Sequence, residues 1–310
     1  MTGERIAVID LGSNTFHLLI SEIRDDGSWI EIHKEREYVK LASGGMDIID
    51  ENSKQRAIDA MIRFMDLLRK YDVTRIRAIG TAALREADNG LVIADKLSAI
   101  TGIPIEIIDG QQEAHFILLG IKSALPHLDQ YSLIMDIGGG SVEFILFKGD
   151  KVAFTESYKI GVAVLYQMFH HSDPMSREEI DKLEMFVGDQ VVPLTRHIKG
   201  IDQYYLIGAS GSFEVIYDML PKKEISDHWA ELEMAGIHDY MDKVIGTSLA
   251  ERRLMPDIPE ERLDYIVVAY LLIRIIINAI PPSKLYYCEY ALKEGVIADL
   301  IHNNLDQSKI

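Results

Sequence analysis

The residues of this sequence best suited to chemistry are two acids, each at the end of an apolar run and each followed by a glycine-rich polar turn. They are Asp10 in "DLGSNTF" (residues 10–16) and Asp136 in "DIGGGSV" (residues 136–142). Glycine permits positive φ and removes the side chain that would keep a phosphate oxygen from the backbone amides. On this reading Gly12, Ser13, Asn14 and Thr15, together with Gly138, Gly139, Gly140 and Ser141, are two halves of one phosphate site. For either copy alone, a plain hairpin turn is the alternative. Acids beside a phosphate make sense only with a cation between them. Asp10, Asp136 and Glu143 are therefore candidate ligands for a divalent ion such as Mg²⁺, which prefers oxygen donors and keeps several waters. Glu143 lies in an alternating segment, so an exposed strand residue competes with that role.

The elements that must position these turns are legible from periodicity. "RIAVID", "FHLLISEI" and "WIEIHKEREYV" read as three meandering strands, and apolar residues at helical spacing mark a helix over 53–71. A strand at "RIRAIG", a helix over about 90–101, a strand at "PIEIID" and a helix over about 111–125 complete the first half. After Pro126 the order begins again, with three strands between Tyr131 and Ile160 and helices at about 161–171 and 176–199. Then come a strand "YYLIGAS", a helical stretch, a long helix ending at Ile280, a strand "KLYYCEY" and a last helix from Ala291. Aligning the two openings puts Asp10 on Asp136, Gly12 on Gly138, Thr15 on Ser141 and His17 on Glu143, an internal repeat on the scale of a domain. The fold class is α/β, in two domains at 1–126 and 127–310, with the last helix (about 291–310) a candidate to pack back onto the first. Strand-end turns are where such folds bind ligands.

Three further stretches carry candidate chemistry. In "IEIIDGQQEA" Asp109 is a candidate N-cap and Glu113 falls in the first turn of the following helix, where a carboxylate can accept a proton from water or simply complement the helix dipole. Arg85 in "GTAALREA" offers a guanidinium for paired hydrogen bonds to phosphate, or a surface partner for Glu86 or Asp88. Ser210, Gly211 and Ser212 in "GASGS" open a helix after a strand, with amides suited to an anion; a turn without a ligand is the alternative. His170-His171 lacks the spacing of zinc motifs and reads as a solvated helix end, and "KK" at 222–223 and "RR" at 252–253 read as solvated faces.

Composition narrows the function classes. With 48% hydrophobic and 26% charged residues, the chain of 310 residues is that of an ordinary globular protein. A formal net charge of −17 argues against a nucleic-acid binder, because counterion release needs a basic face. The one cysteine, Cys288, cannot form an internal disulfide, which suits a reducing cytoplasm, and there is no signal-peptide pattern at the start. The longest apolar stretch, "YIVVAYLLIRIIINAI" from Tyr265 to Ile280, contains Arg274 and Asn278 and reads as a buried helix, so no membrane is expected.

Six stretches in order, "DLGSNTFHLLI", "GTAALREA", "IEIIDGQQEAHFILLGI", "DIGGGSVEFIL", "GASGS" and "ALKEGV", resemble the motifs of the exopolyphosphatase and guanosine pentaphosphate phosphohydrolase (Ppx/GppA) family over about residues 5–300. The resemblance implies two duplicated ribonuclease H-like (actin-like ATPase) domains facing a central cleft, whose closure excludes water from the reaction. It implies hydrolysis of a terminal phosphoanhydride bond, with Glu113 as the base that activates water, Arg85 as a phosphate ligand, Mg²⁺ as the cofactor and a homodimer as the assembly. Inorganic polyphosphate is the first expected substrate and guanosine pentaphosphate the second; a non-catalytic polyphosphate or alarmone sensor and a kinase of the wider superfamily are the competing classes. The chain departs from the family where the first of two adjacent glutamates is Gln112, where Tyr290 stands for a glycine before "ALKEGV", and in lacking the helical C-terminal extension of larger members.

Overall fold

The computed structural model describes residues 3–24, 26–125, 128–209 and 211–307. An antiparallel meander of β1 (Arg5–Leu11), β2 (Phe16–Ile23) and β3 (Trp29–Glu37) opens the chain. It is followed by α1 (Glu51–Lys70), β4 (Arg75–Gly80), α2 (Ala82–Glu86), α3 (Gly90–Thr101), β5 (Ile105–Ile107) and α4 (Gly110–Ala124). A second meander, β6 (Tyr131–Ile137), β7 (Val142–Lys148) and β8 (Lys151–Tyr158), leads to α5 (Val162–Phe169), α6 (Arg177–Gln190), α7 (Val192–Ile198), β9 (Tyr204–Ala209) and α8 (Gly211–Met219). The chain ends with β10 (Lys222–Ser226), β11 (Trp229–Leu232), α9 (Ile237–Ile245), α10 (Leu249–Arg252), α11 (Ile266–Ala279), β12 (Lys284–Cys288) and α12 (Leu292–Gln307).

Sheet topology shows the repeat directly. The first sheet runs β3-β2-β1-β4-β5, and the second runs β8-β7-β6-β9-β12 in the same sense before β11 and β10 extend it. Register agrees residue by residue: Asp10 pairs with His17 and Leu11 with Phe16 in the first hairpin, Asp136 with Glu143 and Ile137 with Val142 in the second. The central strands β1 and β6 each contain four consecutive buried residues, the signature of a strand covered on both faces, whereas the outer strand β3 has no fully buried residue. The chain divides into two compact units, Met1–Ser123 with Tyr290–Ile310, and Ala124–Glu289.

Helix α1 buries one face, including Ala57, Met61, Phe64 and Leu68, and Asp50 caps it by accepting the Ser53 N–H at 2.9 Å. In the second unit α11 is buried nearly all round because α5, α6, α8 and α9 surround it, so its apolarity reflects a core helix. Among the described residues no helix is long and apolar enough to cross a membrane.

Local differences from the periodicity reading have identifiable causes. The helix expected over 176–199 is two helices, α6 and α7, with Pro193 in the first turn of the second, where its missing N–H costs nothing. The hairpin of β10 and β11 was not legible because β10, "KKEIS", is mostly exposed and carries no apolar alternation. Burial also removes two features from the solvated surface. Arg252 is 2% exposed and donates from Nε to the Leu263 carbonyl at 3.0 Å, and His170 packs edge-on against Tyr166.

In the first unit α4 and α12 cross at backbone contact. A Cβ on Gly295 would lie 1.7 Å from the Phe116 carbonyl oxygen, and one on Gly120 would lie 1.9 Å from that of Ala291. Gly295→Ala must therefore push the helices apart and is expected to lower stability by roughly 3 kcal/mol. The midpoint of denaturant unfolding reads this directly, and an unchanged midpoint would show that the crossing yields freely.

Candidate functional site

Each acid–glycine turn is a four-residue connection closed by one hydrogen bond, Gly12 N–H to the Thr15 carbonyl at 3.1 Å and Gly138 N–H to the Ser141 carbonyl at 2.9 Å. A Cβ at Gly12 would lie 2.7 Å from the Thr15 carbonyl oxygen, which accounts for glycine there, and one at Gly138 would lie 3.1 Å from that of Ser141, a tight but less prohibitive approach.

The turns are held from behind. In the second unit the carbonyls of Gly138, Gly139 and Gly140 accept from the N–H groups of Val162, Ala163 and Gly161 at 3.0, 2.9 and 3.2 Å, at the start of α5. In the first, the carbonyls of Ser13 and Asn14 accept from Ala42 and Lys40 at 3.1 and 2.8 Å, in the segment after β3. A trans peptide is planar, so a carbonyl pinned to one side aims the N–H of the next residue to the other. The amides of Gly139, Gly140 and Ser141, and those of Asn14 and Thr15, therefore point away from these supports, although no residue of either turn has the positive φ expected of its glycines. The supporting segments at 40–42 and 161–163 occupy equivalent places in the repeat. They act through backbone atoms, which is why sequence comparison of the two halves missed them.

In the first unit the turn connects directly to the other expected residues. The buried Ser13 accepts the Ala83 N–H on its Oγ at 3.0 Å, so it caps α2 from outside. That helix carries Arg85, whose Nη1 donates to the Ile108 carbonyl at 2.8 Å and to Glu113 Oε2 at 3.0 Å. Glu113 is 7% exposed, too buried for a carboxylate that merely faces the dipole from solvent. Asp109 accepts the Gln112 N–H at 2.8 Å while Gln112 Oε1 accepts the Asp109 N–H at 3.1 Å, a reciprocal cap that glutamine and glutamate serve equally well. Gln112 thus shapes the start of α4.

The rows of side chains behind the two turns differ in charge. Across β1, β2 and β3 the register aligns Asp10, His17 and Arg36; across β6, β7 and β8 it aligns Asp136, Glu143 and Ser157. Glu143 is 2% exposed and accepts from the Ser157 hydroxyl at 2.7 Å on Oε1. Carboxylates directly opposed on neighbouring strands repel, and this pair offers hard oxygen donors of the kind a divalent cation prefers. Among the described residues no three His, Cys, Asp or Glu side chains gather as a metal cluster, so waters or substrate oxygens would have to complete such a site.

Asp10 has other company. Its Oδ1 is shut from solvent without a hydrogen-bond partner. Burial pushes its carboxyl from 3.8 up to about 7, with the Lys293 ammonium opposing and Glu294 reinforcing the rise. Lys293 and Glu294 belong to α12 and form an ion pair at 2.9 Å. Neither was singled out from the sequence, although both stand in "ALKEGV", where two charges in a predominantly apolar motif are the available signal.

In the second unit Gly211 and Ser212 begin α8, and Ser210 lies outside the described residues. The Arg262 guanidinium occupies the space a Cβ on Gly211 would take, and its Nη2 pairs with Glu214 at 2.9 Å. It comes from the segment before α11, and only tertiary packing brings it to this turn. Tyr290, in place of the expected glycine, stacks on Trp29 with ring centroids 5.4 Å apart. His170 is not a solvated helix end: burial, and then Arg252, hold its imidazole below the usual range.

The two units share one strand order, and each has an acid near a strand end followed by a glycine-containing turn. The sequence profile of the Ppx/GppA phosphatase family matches residues 19–304. The chain belongs to the Ppx/GppA phosphatase family. Its structure is similar to that of an exopolyphosphatase from Cytophaga hutchinsonii, with 32% identity and a TM-score of 0.91 over 97% of this chain and 98% of that one. The Aquifex aeolicus member of the Ppx/GppA family shares the fold at 23% identity, with a TM-score of 0.78 over 97% of this chain and 98% of that one. The two domains are accordingly of the actin-like, ribonuclease H-like kind, and this Ppx/GppA protein is a phosphoanhydride hydrolase.

The raised Asp10 pKa links stability to pH. Below 3.8 the carboxyl is neutral in folded and unfolded chains alike; between 3.8 and about 7 only the unfolded chain ionises it freely, and stability falls as pH rises. The full penalty above about pH 7 is on the order of 4 kcal/mol. Asp10→Asn should therefore melt higher than wild type at alkaline pH, with the difference shrinking towards pH 4. Thermal melts across that range test it, and a pH-independent difference contradicts it.

Proposed function

We propose that the protein releases terminal phosphate from inorganic polyphosphate, with Glu113 as the base that takes a proton from the attacking water. The observation that carries this reading is the joined set in the first unit: the Gly12–Thr15 turn, α2 docked to it through Ser13, and Arg85 on that helix gripping Glu113 at 3.0 Å. Amides of the turn bind phosphate oxygens, Arg85 orients the carboxylate, and Glu113 stands ready to accept the proton as the oxygen–phosphorus bond forms. Departure of the shortened chain then breaks the phosphoanhydride bond, so one water and one anhydride give two phosphate products.

Asp136 and Glu143 are the residues that would hold a Mg²⁺ ion in the second unit, since they supply paired oxygen donors with Ser157 supporting one of them. When bound, such an ion offsets negative charge on the phosphate. Polyphosphate ranks above guanosine pentaphosphate because the groups described above recognise phosphate oxygens, and the similar Cytophaga hutchinsonii protein is an exopolyphosphatase. Gln112 gives no support to a non-catalytic sensor, because its side chain is occupied in capping α4.

The test is phosphate release from polyphosphates of defined length, guanosine pentaphosphate and ATP, each with Mg²⁺. Wild type should favour polyphosphate, and Glu113→Gln should lower kcat by about 10²–10⁴-fold while the protein stays folded. Release at the wild-type rate from folded Glu113→Gln removes Glu113 from the reaction, and release from guanosine pentaphosphate alone reverses the substrate order.

A further inference from the structure

The Gly12–Thr15 turn leans on a residue in an unusual conformation. Lys40, whose N–H fixes the Asn14 carbonyl at 2.8 Å, has φ 49° and ψ 57°, the left-handed region that a lysine enters only when its surroundings impose it. Glycine reaches that region freely and asparagine can ease it with a local hydrogen bond, whereas lysine has neither advantage. The restraint comes from α1. Arg56 donates from Nε to the Val39 carbonyl at 2.6 Å and from Nη2 to the Lys40 carbonyl at 3.1 Å. One planar guanidinium thereby grips two successive carbonyls, which an extended chain would point in opposite directions. Ser53 steadies the grip: it is fully buried, and its Oγ lies 2.7 Å from Asp50 Oδ2 and accepts from Arg56 Nη2 at 2.8 Å. With its single proton given to Asp50 at the shorter distance, the Lys40 carbonyl 3.2 Å away depends on Arg56 and on the Ser43 N–H at 3.2 Å. The second repeat reaches the same end without a clamp. Gly161 supports the Gly140 carbonyl at φ −63°, and it comes so close that a Cβ would lie 2.4 Å from the Gly139 carbonyl oxygen.

We propose that Arg56 is a positioning residue for phosphate binding. By clamping the Val39 and Lys40 carbonyls it holds Lys40 left-handed, and the Lys40 N–H in turn fixes the Asn14 carbonyl so that the Thr15 amide faces the substrate. Arg56 acts through the backbone of Lys40 rather than on phosphate, since its Nε and Nη2 are turned to protein oxygens. The amide it aims meets a phosphate oxygen alike before and during bond cleavage, so loss of the clamp weakens binding more than turnover. The inference rests on the reading that the Gly12–Thr15 turn meets phosphate. It concerns the first repeat alone, because the support in the second is built on glycine.

Backbone conformation and side-chain charge at Lys40 can be separated by comparing Arg56→Met, Lys40→Asn, Lys40→Val and the Lys40→Gly/Arg56→Met double variant with wild type, each below its melting temperature. KM and kcat are measured on polyphosphate with Mg²⁺, tripolyphosphate binding by calorimetry, and ligand-free hydrogen exchange by mass spectrometry in peptides covering residues 10–16 and 38–45. Arg56→Met should raise KM and the Kd for tripolyphosphate about tenfold with kcat within about threefold, and should speed exchange in both peptides. Adding Lys40→Gly should recover most of that loss, because glycine adopts the left-handed conformation without a clamp. Lys40→Val should raise KM about fivefold more than Lys40→Asn, since both remove the ammonium and only asparagine tolerates positive φ. Unchanged KM in Arg56→Met, no recovery in the double variant, or equal KM for Lys40→Asn and Lys40→Val would each overturn the proposal. If Arg56→Met does not fold, the comparison of Lys40→Asn with Lys40→Val decides, because it leaves Arg56 in place. Wild-type protein that binds no tripolyphosphate, while exchange still responds to Arg56→Met, would sink the phosphate reading of the turn and with it this role in binding. Wild-type binding that Arg56→Met leaves untouched would sink the proposal alone.

Discussion

Peptide planarity is the constraint on which the rest of this structure depends. A turn can present several amides to one ligand only if the carbonyls between them are held on the opposite side, and a carbonyl held there needs a donor. In both domains the donors come from the segment after the third strand, Lys40 and Ala42 in one and Gly161, Val162 and Ala163 in the other. The three-stranded meander is therefore more than a scaffold, because its third strand delivers the chain to the place where those donors are needed. In the first domain the parallel strand β4 then sets α2, which carries Arg85, beside the turn, where Ser13 accepts the Ala83 N–H.

Duplication has kept this backbone device and altered the side chains around it. The rows Asp10–His17–Arg36 and Asp136–Glu143–Ser157 occupy equivalent register, yet one sets a histidine and an arginine beside its acid and the other sets a second carboxylate there. Topology specifies where an acid stands, while its neighbours decide what that acid can do.

Much of this was legible from periodicity and pattern. The two meanders, the long helices, the alignment of Asp10 with Asp136 and the N-cap at Asp109 follow from local residue order, and local order is what those signals record. The short α2, the β10–β11 hairpin and the split of α6 from α7 carry too few apolar residues, or hinge on a single proline, to show as periods. Arg262 against Gly211 and Ser13 capping α2 depend on contacts between residues 51 and 70 positions apart, and no local pattern encodes those. Arg252 and His170 were misjudged for the same reason: a charge run and a helix end look solvated until tertiary packing buries them.

The first domain is interrupted, since the chain leaves it at Ser123 and returns at Tyr290. The helix that lies against β1 and β2 and crosses α4 at Gly295 is thus made after every element of the second domain. During synthesis the second domain has its full set of elements while the first still lacks a helix against its central strands. The half that is made first is completed second, and until then β1 and β2 lack the helix that covers them.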